Sequence, residues 1–139
     1  MPAPKDPAGL LRYVTEEIWN KGRLELVDEL VAESFVDHVD VPGLEGGGPA
    51  RYRRSVEMVR TAMPDYHEEI EWCVAEGDMV ADYVRTSGTH EGDFYGLAPT
   101  GKRLEMRAFG ALRVADGQIV ERWGLGDTMA LMGQLGRLG

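Results

Sequence analysis

The hydrophobic period of this chain changes at Pro64, and that change constrains its fold more than any other feature. Up to Pro64 apolar residues recur mostly every three or four positions; from Tyr66 to Gly126 they recur every second position. In GLLRYVTEEIWNKG, Leu10, Leu11, Val14 and Ile18 share one helical stripe, and Gly22 stops it. LELVDELVAE predicts a second helix with Leu26, Val27 and Leu30 inside. FVDHVDV alternates and predicts a short strand that breaks at PGLEGGGP. PARYRRSVEMVRTAM predicts a third helix, with Pro49 in its first turn and Pro64 past its end.

The period-two region divides into four strands. YHEEIEWCVAEG sets Tyr66, Ile70, Trp72 and Val74 on one side against His67, Glu69 and Glu71 on the other. Gly77-Asp78 turns it into DMVADYVRTSGTHEG. After the loop DFYGLAPTGK come KRLEMRAFGALRVA and QIVERWGLG, joined by the hairpin dipeptide Asp116-Gly117. DTMALMGQLGRLG closes the chain as a short helix capped by Asp127 or Thr128. Helices bunched ahead of strands indicate an α+β fold: N-terminal helices packed on a curved antiparallel sheet, with a short C-terminal helix. With 139 residues the expectation is one domain over 1–139, of which residues 1–7, holding three prolines, form a loose arm. A sheet curved around helices leaves a cleft at one end, the default place for a small apolar ligand.

Composition narrows the ligand. Fifteen Lys and Arg face twenty-four Asp and Glu, for a net charge of −9, which repels nucleic acids and anionic membrane surfaces. The single Cys73 cannot form an internal disulfide or a thiolate cluster. His38, His67 and His90 lie far apart in sequence with no metal-ligand spacing, and no nucleotide or dinucleotide signature is present, so neither a metal nor an organic cofactor is expected. Apolar runs are too short for a membrane span, and the first residues lack the apolar core of an export signal; a cytoplasmic protein is expected.

The candidate chemistry rests on a few ionisable groups beside apolar walls. Asp127 leaves the strand end Trp123-Gly124-Leu125-Gly126 and opens the last helix. A carboxylate desolvated there would have a raised pKa and could exchange a proton near neutrality; otherwise it serves only as a helix cap. His90, beside glycine at a strand end, could reach a ligand, or could bond a loop carbonyl. His38 stands similarly, between Asp37 and Asp40. Arg107 could polarise a carbonyl, or form a cross-strand ion pair on the outer face. Trp123, Phe94, Phe109 and Met106 are, with His38, the candidate substrate-binding residues, with core packing as the alternative for the aromatic rings.

The ordered motifs resemble the SnoaL-like polyketide cyclase family of the nuclear transport factor 2-type superfamily. They are Gly88-Thr89-His90 followed by Gly92, Pro99-Thr100-Gly101-Lys102, the hairpin Arg113 through Trp123, Asp127, and Gln134-Leu135-Gly136. The resemblance implies a cone-shaped domain and a cofactor-independent intramolecular aldol condensation of an aromatic polyketide, as in antibiotic biosynthesis. It also implies that Asp127 is the acid–base residue, with His90 or Arg107 as carbonyl partner, and a hydrophobic polycyclic substrate. One departure concerns the strand Met106 to Leu112: if Met106, Ala108, Gly110 and Leu112 face inward, the polar group that family cyclases carry there is missing. Rival expectations are epoxide opening, hydration or hydroxylation on the same pocket, the first through Asp82, Arg85, Arg107 and Asp127. A non-catalytic binder is the other rival, favoured by a pocket under roughly 300 Å³. Trp72, Val74 and Tyr83 on the open sheet face predict a homodimer or higher homo-oligomer.

Overall fold

The computed structural model describes residues 2–137. Helix α1, Pro7–Val14, is capped by Asp6, whose carboxylate accepts from the Gly9 N–H at 2.8 Å, and Pro7 occupies its first turn. It runs on as a π-helical segment, Thr15–Asn20, that ends at Gly22. A 3₁₀ turn at Leu24–Leu26 leads into the short α2, Val27–Leu30, and directly into strand β1, Val31–Asp37. Helix α3 spans Gly48–Ala62. Then follow β2, His67–Glu76; β3, Met79–Thr89; β4, Arg103–Ala115; β5, Gln118–Gly126; and α4, Thr128–Gln134.

The fold is α+β, with four α-helices packed on an open five-stranded sheet of order β1-β5-β4-β3-β2. The four long strands are antiparallel, and β1 adds parallel to β5, so the sheet is mixed. Asp116 and Gly117 both take positive φ, 52° and 74°, the conformation that a two-residue hairpin turn needs. The second helix is shorter than its periodicity predicts. Val31 and Ala32 leave it because Val31 pairs with Ile119 at the sheet edge, where a β-branched side chain is fully buried.

The main core joins Leu10, Val14 and Ile18 to Phe35, Tyr52, Val56, Val80, Leu112 and Ile119. A second cluster under α4 holds Ala62, Met63, Leu104, Leu131 and Leu135. Each fully buried aliphatic side chain contributes on the order of 2 kcal/mol. The inward face of β4 carries Met106, Ala108, Gly110 and Leu112, and that of β3 carries Val80, Asp82, Val84 and Thr86.

Strand β2 departs from the simple alternation. Ile70 pairs with Val84 and Trp72 with Tyr83, so Glu71 is the extra residue of a β-bulge. Tyr66, Glu68 and Ile70 keep the inward parity, and beyond the bulge Cys73 takes it over. Trp72 and Val74 therefore part from Ile70, beside which the alternation puts them, and are 46% and 62% exposed on the outer face, the open face where the expected homodimer also places them.

Candidate active site

Between the helices and the inner sheet face lies a cavity of about 230 Å³, below the roughly 300 Å³ under which the non-catalytic binder is the favoured reading, so its size alone does not argue for an enzyme. Its walls are mostly apolar: Leu11 and Val14 from α1, Val39, Val41 and Leu44 from the loop after β1, Val59 from α3, and Val84, Met106, Ala108 and Leu112 from the sheet. Into this wall project Glu68, Asp82, Arg122, Tyr66, Tyr52, Ser55 and Trp19.

Glu68 is held from two directions. Asn20, at the end of the π-helical segment, donates Nδ2 to the Glu68 carbonyl at 2.9 Å and accepts the Glu68 N–H on Oδ1 at 2.7 Å. This fixes the backbone as a neighbouring strand would. The Tyr66 hydroxyl donates to Glu68 Oε2 at 3.0 Å. Burial pushes the Glu68 carboxyl up to about 7, and the charge of Asp82 adds to the rise, while the Tyr66 bond and Arg122 oppose it. Burial also raises the Tyr66 phenol, reinforced by Glu68.

Asp82 lies where β3 and β4 pair, opposite Gly110. A β-carbon on Gly110 would stand 2.9 Å from Asp82 Oδ1, so the missing side chain on β4 is the space the carboxylate uses. Asp82 is 4% exposed, and burial raises its carboxyl against the opposing effect of the Gly110 backbone. The inward polar group absent from β4 is thus supplied by the adjacent strand.

Arg122 comes from β5. Its Nη2 and Nε donate to the two oxygens of Asp37 at 2.7 and 3.2 Å, and Nη2 also reaches Ser55 Oγ at 3.3 Å. Asp37 is fully enclosed and takes a second arginine, Arg51, at 3.2 Å. The guanidinium of Arg122 sits 5.5 Å from the ring centres of both Trp19 and Tyr52. Its Nη1 has no hydrogen-bond partner among the described residues, which leaves both of that atom's N–H groups for a ligand oxygen.

The residues singled out in the sequence fall mostly elsewhere. Asp127 is exposed, lines neither this cavity nor two others beside it, and accepts the Ala130 N–H at 3.1 Å as the cap of α4. The expected desolvation against apolar walls is corrected: β5 ends on the rim, and the side chain turns toward the helix N-terminus. His90 is fully buried, but outside those cavities. Its Nδ1 lies 3.0 Å from Thr100 Oγ1, its ring meets Phe94 edge-on, and its Nε2 has no partner. Its backbone bonds to Gly101 and Lys102 pin the loop that follows β3, so it does not face the ligand space as expected.

Arg107 has the outward parity of β4, where its Nη1 donates to Glu71 at 2.9 and 3.0 Å in a cross-strand pair, so it is not available inside the cavity. Arg85 likewise pairs with Glu69 on the outer face, at 3.0 Å, and the arrangement of Asp82, Arg85, Arg107 and Asp127 does not form. His38 stacks on Trp123 at 4.9 Å and bonds Glu121 at 2.8 Å, beside the cavity rather than in its wall. Trp123, Met106 and Phe109 border the cavity, although the Phe109 side chain joins Trp72 and Tyr83 outside, 57% of the residue being exposed. Phe94 lines two neighbouring cavities.

Glu68 was missed in the sequence, although its parity with Tyr66 and Ile70 marks a carboxylate on an inward position. Among the described residues no group of three or more His, Cys, Asp or Glu converges as metal ligands would, and no helix is long and apolar enough to cross a membrane.

The model of the SnoaL-like polyketide cyclases matches residues 9–135. The chain belongs to the SnoaL-like polyketide cyclase family. Among solved structures, wild-type IdmH of Streptomyces antibioticus, a candidate polyketide cyclase, is 31% identical over 91% of this chain and 95% of its own, with a TM-score of 0.75. AclR of Streptomyces galilaeus, a candidate hydroxylase, is 28% identical over 93% of this chain and 84% of its own, with a TM-score of 0.76. A candidate SnoaL-like cyclase from Jannaschia sp. CCS1 has a TM-score of 0.83 over 100% of this chain and 99% of its own at 20% identity, a likeness of fold. No curated protein matches the chain.

Proposed function

We propose that this SnoaL-like family member closes a ring in an aromatic polyketide by intramolecular aldol condensation, without a cofactor, and that Glu68 moves the proton. The observation that carries the reading is a carboxyl group inside an apolar cavity, bonded by the Tyr66 hydroxyl on a backbone that Asn20 pins, with a second carboxylate and an arginine in the same wall. A methylene between two carbonyls is acidic enough for a carboxylate to deprotonate. Ionised Glu68 takes that proton, and the resulting enolate carbon attacks a second carbonyl of the same chain. One C–H bond breaks and one C–C bond forms as the π pair of the attacked carbonyl moves onto its oxygen; the new alkoxide then takes back the proton from Glu68, whose basicity the charge of Asp82 raises. The free Nη1 of Arg122 stabilises the enolate or alkoxide oxygen. Trp19, Tyr52 and Tyr66 offer flat walls to a flat substrate, and the enclosure holds the chain in one reactive conformation.

The test compares three variants on a polyketide ester carrying an activated methylene and a ketone. Glu68→Gln lowers the ring-closure rate by roughly 10²–10⁴-fold, and Asp82→Asn lowers it less. Asp127→Ala, which removes only a helix cap here, retains the rate within about tenfold. A normal rate in Glu68→Gln with a dead Asp127→Ala would overturn this assignment and return the role to Asp127, as the family resemblance implies.

The active form in this proposal is a homodimer formed through the outer sheet face. Trp72, Tyr83, Phe109 and Leu125 are paired in register across β2, β3, β4 and β5, forming one apolar row. Arg107–Glu71 and Arg85–Glu69 flank it, so the face carries both signs of charge and is self-complementary under a two-fold axis.

A further inference from the structure

Three cavities meet at one side chain. The inner cavity of about 230 Å³ holds Glu68, Asp82 and Arg122. An outer basin of about 540 Å³ lies over Pro42, Gly43, Arg54, Glu57, Met58 and Thr61. A side pocket of about 110 Å³ reaches toward Leu104 and Leu131. Among the described residues, Tyr95 is the one common to all three walls, and the only one shared by the inner cavity and the outer basin.

Its backbone is unusual. Tyr95 has φ 52° and Gly96 φ 82°, and Phe94 and Leu97 exchange both backbone hydrogen bonds, at 3.0 and 2.9 Å. This is a two-residue hairpin turn with left-handed residues at both central positions, where Asn-Gly is the favoured pair. A tyrosine in the left-handed region is strained, because its β-carbon crowds the following carbonyl oxygen. Fold stability alone would favour asparagine there; the aromatic ring is kept at that cost, between the cavities and packed 4.5 Å from the ring of Phe94. The inner cavity alone is smaller than the roughly 300 Å³ at which ligand pockets usually begin, while the outer basin lies within that range.

We infer that Tyr95 is the specificity residue that sets how long a fused-ring ligand the site accepts: its ring divides the inner cavity from the outer basin, and a long ring system occupies both only when that ring moves aside. The inference rests on the reading of the inner cavity as the substrate site. It assigns the outer basin to the end of the substrate remote from the reacting carbons.

Tyr95→Asn removes the ring and installs the pair that the turn prefers, so the variant folds at least as well as the parent. Binding is read by tryptophan quenching, Trp19 being in the inner wall, with naphthol as the two-ring probe and a dihydroxytetracenequinone as the four-ring probe. Tyr95→Asn tightens the four-ring probe by about tenfold or more and leaves naphthol within about threefold; Tyr95→Phe, which keeps the ring, behaves as the parent. A four-ring affinity unchanged in Tyr95→Asn, or both probes tightened equally, overturns the role of Tyr95 alone. Failure of the parent to bind naphthol overturns both the inner-cavity reading and this inference.

Discussion

Glu68 occupies a strand position whose neighbours of the same parity, Tyr66 and Ile70, point at the core, and its carboxyl is pushed up to about 7 by that burial. The consequence for stability has a definite sign. An unfolded glutamate titrates near 4.3, so between about pH 4 and 7 the folded state holds a proton that the unfolded state has lost. Stability therefore falls as pH rises through that window, and the loss is complete above it. Glu68→Gln, neutral throughout, is expected to be more stable than the parent by about 1–3 kcal/mol at pH 8 and equal to it near pH 4, measured by urea denaturation. Equal stability at pH 8 would mean that the carboxyl is solvated. Asp127 shows the opposite lesson. Its motif is easy to read in the sequence, but whether a residue at a strand–helix junction faces a cavity or caps a helix depends on the last turn of the backbone, which spacing does not encode.

At the scale of elements, the helical and strand periods predict α1, α3 and all four long strands, and Asp116-Gly117 predicts the β4–β5 turn. Three things escape that reading: the early start of β1, its parallel pairing with β5, and the bulge at Glu71. Each depends on a partner distant in sequence, so local periodicity carries no trace of it. The pairing of β3 with β4 supplies a test. In Gly110→Ala the added β-carbon would lie 2.9 Å from Asp82 Oδ1, the end of a side chain that can rotate. The fold is expected to survive with a loss of about 1 kcal/mol, while the turned carboxylate lowers the ring-closure rate about tenfold. A variant with the parent's rate and melting temperature would show that Asp82 has no part in the reaction.

For the whole molecule, the sheet separates two surfaces of opposite character. The inner face holds carboxylates among apolar side chains; the outer face holds aromatic side chains among ion pairs. Leu125 and Phe109 are 82% and 57% exposed, more than an isolated domain usually leaves in one row. Sedimentation equilibrium is expected to give a dimer for the parent and a monomer of unchanged fold for Phe109→Glu; a parent that sediments as a monomer at all concentrations removes the dimer. Both surfaces depend on the extra residue at position 71. Deleting it would shift the reading frame of β2 by one: either Glu68 and Ile70 or Trp72 and Val74 would have to change sides. Under the proposed function, ring closure and self-association both hang on this one insertion, and a variant lacking Glu71 is expected to lose the two together.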